Sequence, residues 1–201
     1  MSDTDKHTAN RMASHLMTSR QTVLPKRLVA PGPDAAELAQ LFQAAAAAPD
    51  HDMINPWRFL IIPEHKRADL GDLFAAALLE RDPSASTEQL EQARDKALRA
   101  PLLMLLIVDG VKGSIEIDLN ERVLSAGCAV QNLMLLANAM GYGSALTSGK
   151  ALKATCFRAG LGLGASEHVI CCLSVGSVSL RKPFKPRPEV KQFTRIWGDS
   201  A

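Results

Sequence analysis

A chain of 201 residues, 47% apolar and 22% charged, is sized for one globular domain or one subunit of an intertwined oligomer. Its 23 Lys and Arg stand against 21 Asp and Glu, and a net charge of +2 is too small for a general attraction to nucleic acid. The first ten residues are polar without an apolar signal core, and no run approaches the roughly 20 apolar residues of a membrane span. A cytoplasmic protein with no membrane or nucleic-acid partner is therefore expected.

Residues 1–10 are predicted to be disordered, followed by weak helical character from Met12 to Ser19. Pro25, Pro31, Gly32 and Pro33 should keep the segment up to residue 33 extended and irregular. Asp34 can cap a helix running to Ala48, with Leu38, Leu41 and Phe42 on one face. The alanines at 44–48 would let another backbone approach closely. The next stretch, from Pro49 to Trp57, joins a helix to an apolar run and holds polar groups between two prolines. A loop of fixed shape beside a buried strand is where binding sites are commonly built, with Trp57 as a core anchor.

Residues 57–62 read as a buried strand, followed by helices at 65–80 and about 86–99. Leu102 to Val108 is unbroken apolar sequence between Pro101 and Asp109-Gly110, which predicts a strand covered on both faces. The longest predicted helix spans 118–140 and is apolar around most of its circumference, so it must be covered by other elements or by a second subunit. A strand at 144–147, a short helix at 150–159 and a strand at 169–178 follow. Gly160, Gly162 and Gly164 lie after a helix and before a strand, the reverse of a dinucleotide-binding turn, and so mark a helix stop. Residues 190–197 alternate enough for a terminal strand or arm. Helices grouped between strands favour an α+β layered fold over regular βαβ alternation.

Cys128, Cys156, Cys171 and Cys172 show no metal-ligand spacing and read as buried, reduced thiols, so no metal is expected. Arg181, Lys182, Lys185, Arg187, Lys191 and Arg195 crowd the C-terminal tail, which is either a solvated segment or a phosphate or partner contact.

Three separated segments together resemble the flavin-dependent nitroreductase family, in particular its small-subunit bacterial branch. Ser19-Arg20-Gln21-Thr22 is similar to that family's Arg-x-Ser/Thr element. Ala48-Pro49-Asp50-His51 followed by Asn55-Pro56-Trp57 resembles its Ala-Pro-Asp-His…Gln-Pro-Trp signature. Ser125 to Val130, Gly141-Tyr142-Gly143 and Leu146-Thr147-Ser148-Gly149 resemble its core helix and glycine-rich strand. The resemblance implies a central mixed, mostly antiparallel sheet flanked by helices, in an intertwined homodimer with FMN at the subunit interface. It implies a single domain from residue 11 to 201 whose arm, from about 180, reaches the partner.

By the same resemblance, Arg20 would hold the FMN phosphate in a bidentate fork, Thr22 would add a hydroxyl donor, and Gln21 would make a contact near the ribityl or isoalloxazine. His51 and Asn55 would contact the flavin. Leu146 and Gly149 would line it, and backbone N–H groups of Thr147 or Ser148 would lie near flavin N5. Three positions depart from the family pattern: Asn55 replaces Gln, Ala47 stands where close relatives have Arg, and Leu146-Thr147 replaces Trp-Arg. Lys182, Lys185 or Arg187 of the tail could replace the missing charge. The implied activity is an NADH- or NADPH-dependent oxidoreductase with a small-molecule electron acceptor, nitroaromatic or quinone-like. The alternative is a flavin-binding sensor or carrier dimer without turnover.

Overall fold

The computed structural model describes residues 2–198. Its sheet is built from β1 (Leu28–Val29), β2 (Trp57–Ile61), β3 (Leu102–Asp109), β4 (Gly143–Thr147) and β5 (Glu167–Val178). β3 is central, with β2 on one side and β5 on the other. β4 pairs with β5, and β1 takes the last two residues of β5. Every strand pair is antiparallel, and a single parallel bridge, Thr22 to Ser144, stitches the segment before β1 onto β4.

The unbroken apolar run of β3 is explained by a core on each face. Met104, Leu106 and Val108 join Leu41, Ala45, Ala126, Ala129 and Leu133 under α2 (Ala35–Ala46) and α5 (Leu119–Ala139). Leu103, Leu105 and Ile107 join Leu70, Phe74, Ala93 and Phe157 under α3 (Arg67–Arg81), α4 (Thr87–Arg94) and α6 (Thr155–Gly160). Strand side chains alternate faces, so a strand with helices on both sides needs an apolar residue at every position. A register shift between Leu106 and Ile107 is matched on β5 by one extra residue, so that Ile170 and Cys171 both face α2 and α5.

The alanines of α2 serve as expected: Ala45 is fully buried and lets α2 lie close to α5 at Ala126 and Ala129. α2 begins with Asp34 in a capping box with Glu37. α6 lacks a side-chain cap of its own, and Glu80 of α3 supplies it by accepting from the N–H groups of Thr155 and Cys156, both at 2.8 Å. Those bonds hold the Glu80 carboxyl at about 2. The glycines after α6 act as its stop, with Gly162 at φ +64.

Three sequence expectations need correction. Residues 3–10, expected to be disordered, belong to one helix, α1 (Asp3–Ser19), started by a capping box between Ser2 and Asp5. A local polar signal set that helix, and none of its residues is buried. The tail at 190–197, expected as a terminal strand or arm, forms no strand among the described residues; it contains one 3-10 turn, Val190–Gln192. Of the four thiols only Cys171 and Cys172 are buried, while Cys128 and Cys156 are partly exposed, and all four are free. Among the described residues no helix is long and apolar enough to cross a membrane.

Candidate functional site

Arg20 follows the last residue of α1 in extended backbone. Its guanidinium is pulled below its ordinary pKa, first by burial and then by the like charge of Arg187. The two arginines are tied together, since Arg187 donates to the Arg20 carbonyl at 2.6 Å. Among the described residues neither cation pairs with a carboxylate. Like charges held together in a partly dry place are costly unless an anion sits between them. Gln21 and Thr22 line a cleft of about 330 Å3 with Lys182, Lys185 and Arg187 of the tail. The Gln21 side-chain nitrogen is buried there without a hydrogen-bond partner. An orphaned donor beside two opposed cations is what a phosphate-bearing ligand would satisfy.

The far end of β4 supplies a second element. Thr22 bridges to Ser144 near the start of β4, and Val23 N–H donates to the Ser144 carbonyl at 3.0 Å. From Ser144 to Thr147 the strand advances about 10 Å, at about 3.3 Å per residue. Leu146, Thr147, Ser148 and Gly149 are all exposed there. A Cβ at Gly149 would meet nothing within 4 Å, so the strand end faces open space. Ser148 does not cap the following turn; Gly149 is its N-cap residue and no side-chain cap is present.

The third element is the loop from Pro49 to Pro56. Trp57 donates from its indole nitrogen to Ser125 Oγ at 3.0 Å, and Ser125 donates to the Pro49 carbonyl at 2.8 Å, which anchors the loop to α5. Asp52, Met53 and Asn55 have φ of 52°, 55° and 44°. Side chains rarely hold that conformation unless their surroundings impose it. Here Asp50 accepts the Asn55 N–H at 2.5 Å and Lys112 donates to the Asn55 carbonyl at 2.7 Å. Met53, at the tip, is 89% exposed.

His51 meets Glu121 of α5 across 2.5 Å. The hydrogen bond and charge of Glu121 raise the imidazole above its ordinary 6.5. The charged pair therefore adds its stability below about pH 6.5 and loses it as pH rises through the higher folded value. We expect Glu121→Gln to lower the His51 pKa, read from the imidazole proton shifts in an NMR titration; an unmoved titration would rule out Glu121 as its partner.

The structure thus brings Arg20, Gln21, Thr22 and Arg187 together and sets Leu146 to Gly149 one strand length away. His51 and Asn55 lie elsewhere. His51 touches Glu121 near the start of α5, whereas Ser19 accepts from Asn138 near its end at 3.1 Å. Along α5 those points are about 25 Å apart, at about 1.5 Å per residue. Sequence reasoning missed Glu121, whose only signal was an acid in the first turn of a long helix.

A family model described as the nitroreductase family matches residues 18–177. A Haemophilus influenzae protein named "Putative NAD(P)H nitroreductase" is 33% identical over 162 residues, 81% of this chain and 86% of that one. The crystal structure of a nitroreductase-like family protein from Bacillus cereus superposes with a TM-score of 0.78 at 20% identity, covering 92% of this chain and 96% of that one. A crystal structure of a single-residue mutant of the FMN- and NADPH-dependent nitroreductase NfnB, from Sphigopyxis sp. strain HMH, gives a TM-score of 0.70 at 21% identity, covering 92% and 99%. At those identities the two structures speak for the fold.

Proposed function

This chain belongs to the nitroreductase family, and from that premise we propose that it is an FMN-dependent oxidoreductase. It takes reducing equivalents from NADH or NADPH and passes them to a nitroaromatic or quinone-like acceptor. The observation that carries this reading is the Arg20–Arg187 pair next to the orphaned Gln21 amide, a cation site with no carboxylate partner among the described residues. Relatives named for NAD(P)H and structures named for FMN agree with it.

FMN supplies the hydride chemistry when bound: it takes two electrons from a nicotinamide and gives two to an acceptor. The chain's own residues bind and orient. Arg20 and Arg187 hold the phosphate, Gln21 donates its buried amide, and Thr22 adds a hydroxyl. Backbone N–H groups at Thr147 and Ser148 offer fixed donors at the strand end, where the open face of Gly149 admits a flat ring. No side-chain acid or base is needed.

The distance between the arginine pair and His51 favours a homodimer. In one chain they lie towards opposite ends of α5, whereas a two-fold axis would let the His51–Asn55 loop of one subunit meet the Arg20–Arg187 pair of the other. Leu124, on the outward face of α5, is 69% exposed and suits burial against a second copy. Purified protein should sediment at twice its 21.6 kDa chain mass and release FMN on heating. Mixed anaerobically with NADH or NADPH, it should lose its yellow colour at about 1 s⁻¹ or faster, an ordinary enzymatic rate. Bound FMN that neither nicotinamide reduces would make the protein a flavin carrier or sensor; protein that takes up no FMN would end the proposal.

A further inference from the structure

Arg20 stands at the end of a helix that its own packing does not fix. None of the residues of α1 is buried, and a helix without a buried face is held in place only by what its ends are tied to. Beyond Arg20 the chain is fastened to β4, through the Thr22–Ser144 bridge and the Val23 N–H on the Ser144 carbonyl. At Arg20 itself the tie is Arg187, which belongs to an exposed tail and carries a like charge. On the α1 side the tie runs to the core: Asn138 of α5 donates from Nδ2 to Ser19 Oγ at 3.1 Å, and Ser19 Oγ donates in turn to the Leu16 carbonyl at 3.3 Å.

Asn138 does nothing comparable for its own helix. It lies half-buried in the last turn of α5, next to the fully buried Ala137, at a position where Ala or Leu would form helix more readily. The end of α5 is closed by backbone instead: Gly141 N–H donates to the Asn138 carbonyl at 3.1 Å, and Tyr142 N–H to the Ala137 carbonyl at 2.9 Å. The side-chain amide is thus free of any duty at the helix end and reaches across to α1.

We propose that Asn138 is a positioning residue for the phosphate grip: by holding Ser19 it fixes the end of α1, and so the place from which the Arg20 guanidinium meets its anion. The inference rests on the reading of Arg20 as the phosphate ligand. A bidentate fork needs two parallel N–H···O bonds at once, so it tolerates little movement of the backbone that carries it. Arg187 braces that backbone from the tail, and Asn138 braces it from a helix buried in the core.

The test compares FMN with riboflavin, which lacks the phosphate, on flavin-free protein. In Asn138→Ala the Kd for FMN should rise about three- to tenfold, the range of one neutral hydrogen bond. The Kd for riboflavin should stay within about twofold. Ser19→Ala removes the same bond from a helix that buries nothing, so it carries the test even if Asn138→Ala fails to fold. The double variant should lose no more than either single one, since one bond can be lost only once. Amide hydrogen exchange of the flavin-free protein should quicken about tenfold over residues 19–22 in either variant and stay unchanged in β3. An equal loss for FMN and riboflavin would make Asn138 an ordinary support of the fold and overturn the proposal. Additive losses, or unchanged exchange over residues 19–22, would break the link through Ser19 and overturn it as well. Arg20→Ala keeps the underlying reading separate. If it leaves the preference for FMN over riboflavin intact, the phosphate reading fails and the role of Asn138 falls with it. An FMN-specific loss in Arg20→Ala with none in Asn138→Ala or Ser19→Ala would end the role of Asn138 alone.

Discussion

Replacing Arg20 by Ala should weaken FMN binding by about 1.5–3 kcal/mol, the range for a hydrogen bond to a charged group. That is roughly a ten- to hundredfold rise in Kd. Two features of the structure set this expectation. The Arg20 guanidinium is partly desolvated next to Arg187, so without an anion it is held at a cost. Its backbone carbonyl is fastened by Arg187, so the backbone that carries the side chain is held before any ligand arrives. A backbone held in advance lowers the entropy lost on binding. Arg20→Lys should recover only part of the loss, because an ammonium cannot form the two parallel bonds of a guanidinium. The FMN-free protein should behave in the opposite way, becoming no less stable in Arg20→Ala, since one of two repelling charges has gone. FMN fluorescence quenching measures the first effect and thermal unfolding of flavin-free protein the second. An unchanged Kd would remove Arg20 from the phosphate site.

The difference between what the sequence disclosed and what it hid follows from the range of the signals. The two-faced burial of β3 was legible because seven apolar residues in a row between Pro101 and Asp109 leave a strand no solvent face. The helix from Asp34 was legible from its cap, and the long helix α5 from its length and its apolar residues around most of the circumference. The Arg20–Thr22 element and the loop at His51 were legible only as motifs recognised together. Their separation by most of the length of α5 was not, because no local pattern records which end of a helix a distant loop will touch. The gathering of cations around the cavity at the end of β4 was invisible for a similar reason. Lys26, Arg81, Lys96, Arg99 and Lys150 are scattered through the chain and converge only through the antiparallel order of the sheet and the packing of α3 and α4 upon it. The helix at residues 3–10 was missed because a polar segment without apolar periodicity gives no burial signal, and a capping box alone had to start it.

Arg122→Ala should destabilise the protein by about 3 kcal/mol or more, the scale of stranding several buried polar groups at once. Arg122 is 1% exposed, on the inward face of α5 among Ser125, Ala126 and Ala129, where an apolar residue would be expected. No carboxylate meets it among the described residues. Its guanidinium donates instead to the carbonyls of Ile117 at 3.0 Å, Lys112 at 2.7 Å and Asp109 at 3.3 Å, and to that of Ser114. Asp109 ends β3, and the other three carbonyls belong to the connection between β3 and α5, which has no regular structure to satisfy them. Removal of the side chain leaves four acceptors in a cavity of its own volume. The same connection braces the His51–Asn55 loop, because Lys112 holds the Asn55 carbonyl and a Cβ at Gly113, at φ +81, would lie 2.5 Å from Ile54. Loss of Arg122 should therefore loosen both stability and that loop, whereas Arg20→Ala touches neither. Arg122→Lys keeps a charge but reaches fewer carbonyls and should fall between wild type and Ala. Urea midpoints of the three proteins, with unchanged slope, measure the ranking. A loss below about 1 kcal/mol in Arg122→Ala would mean that water replaces the guanidinium at those carbonyls, and that the connection is held by its other contacts.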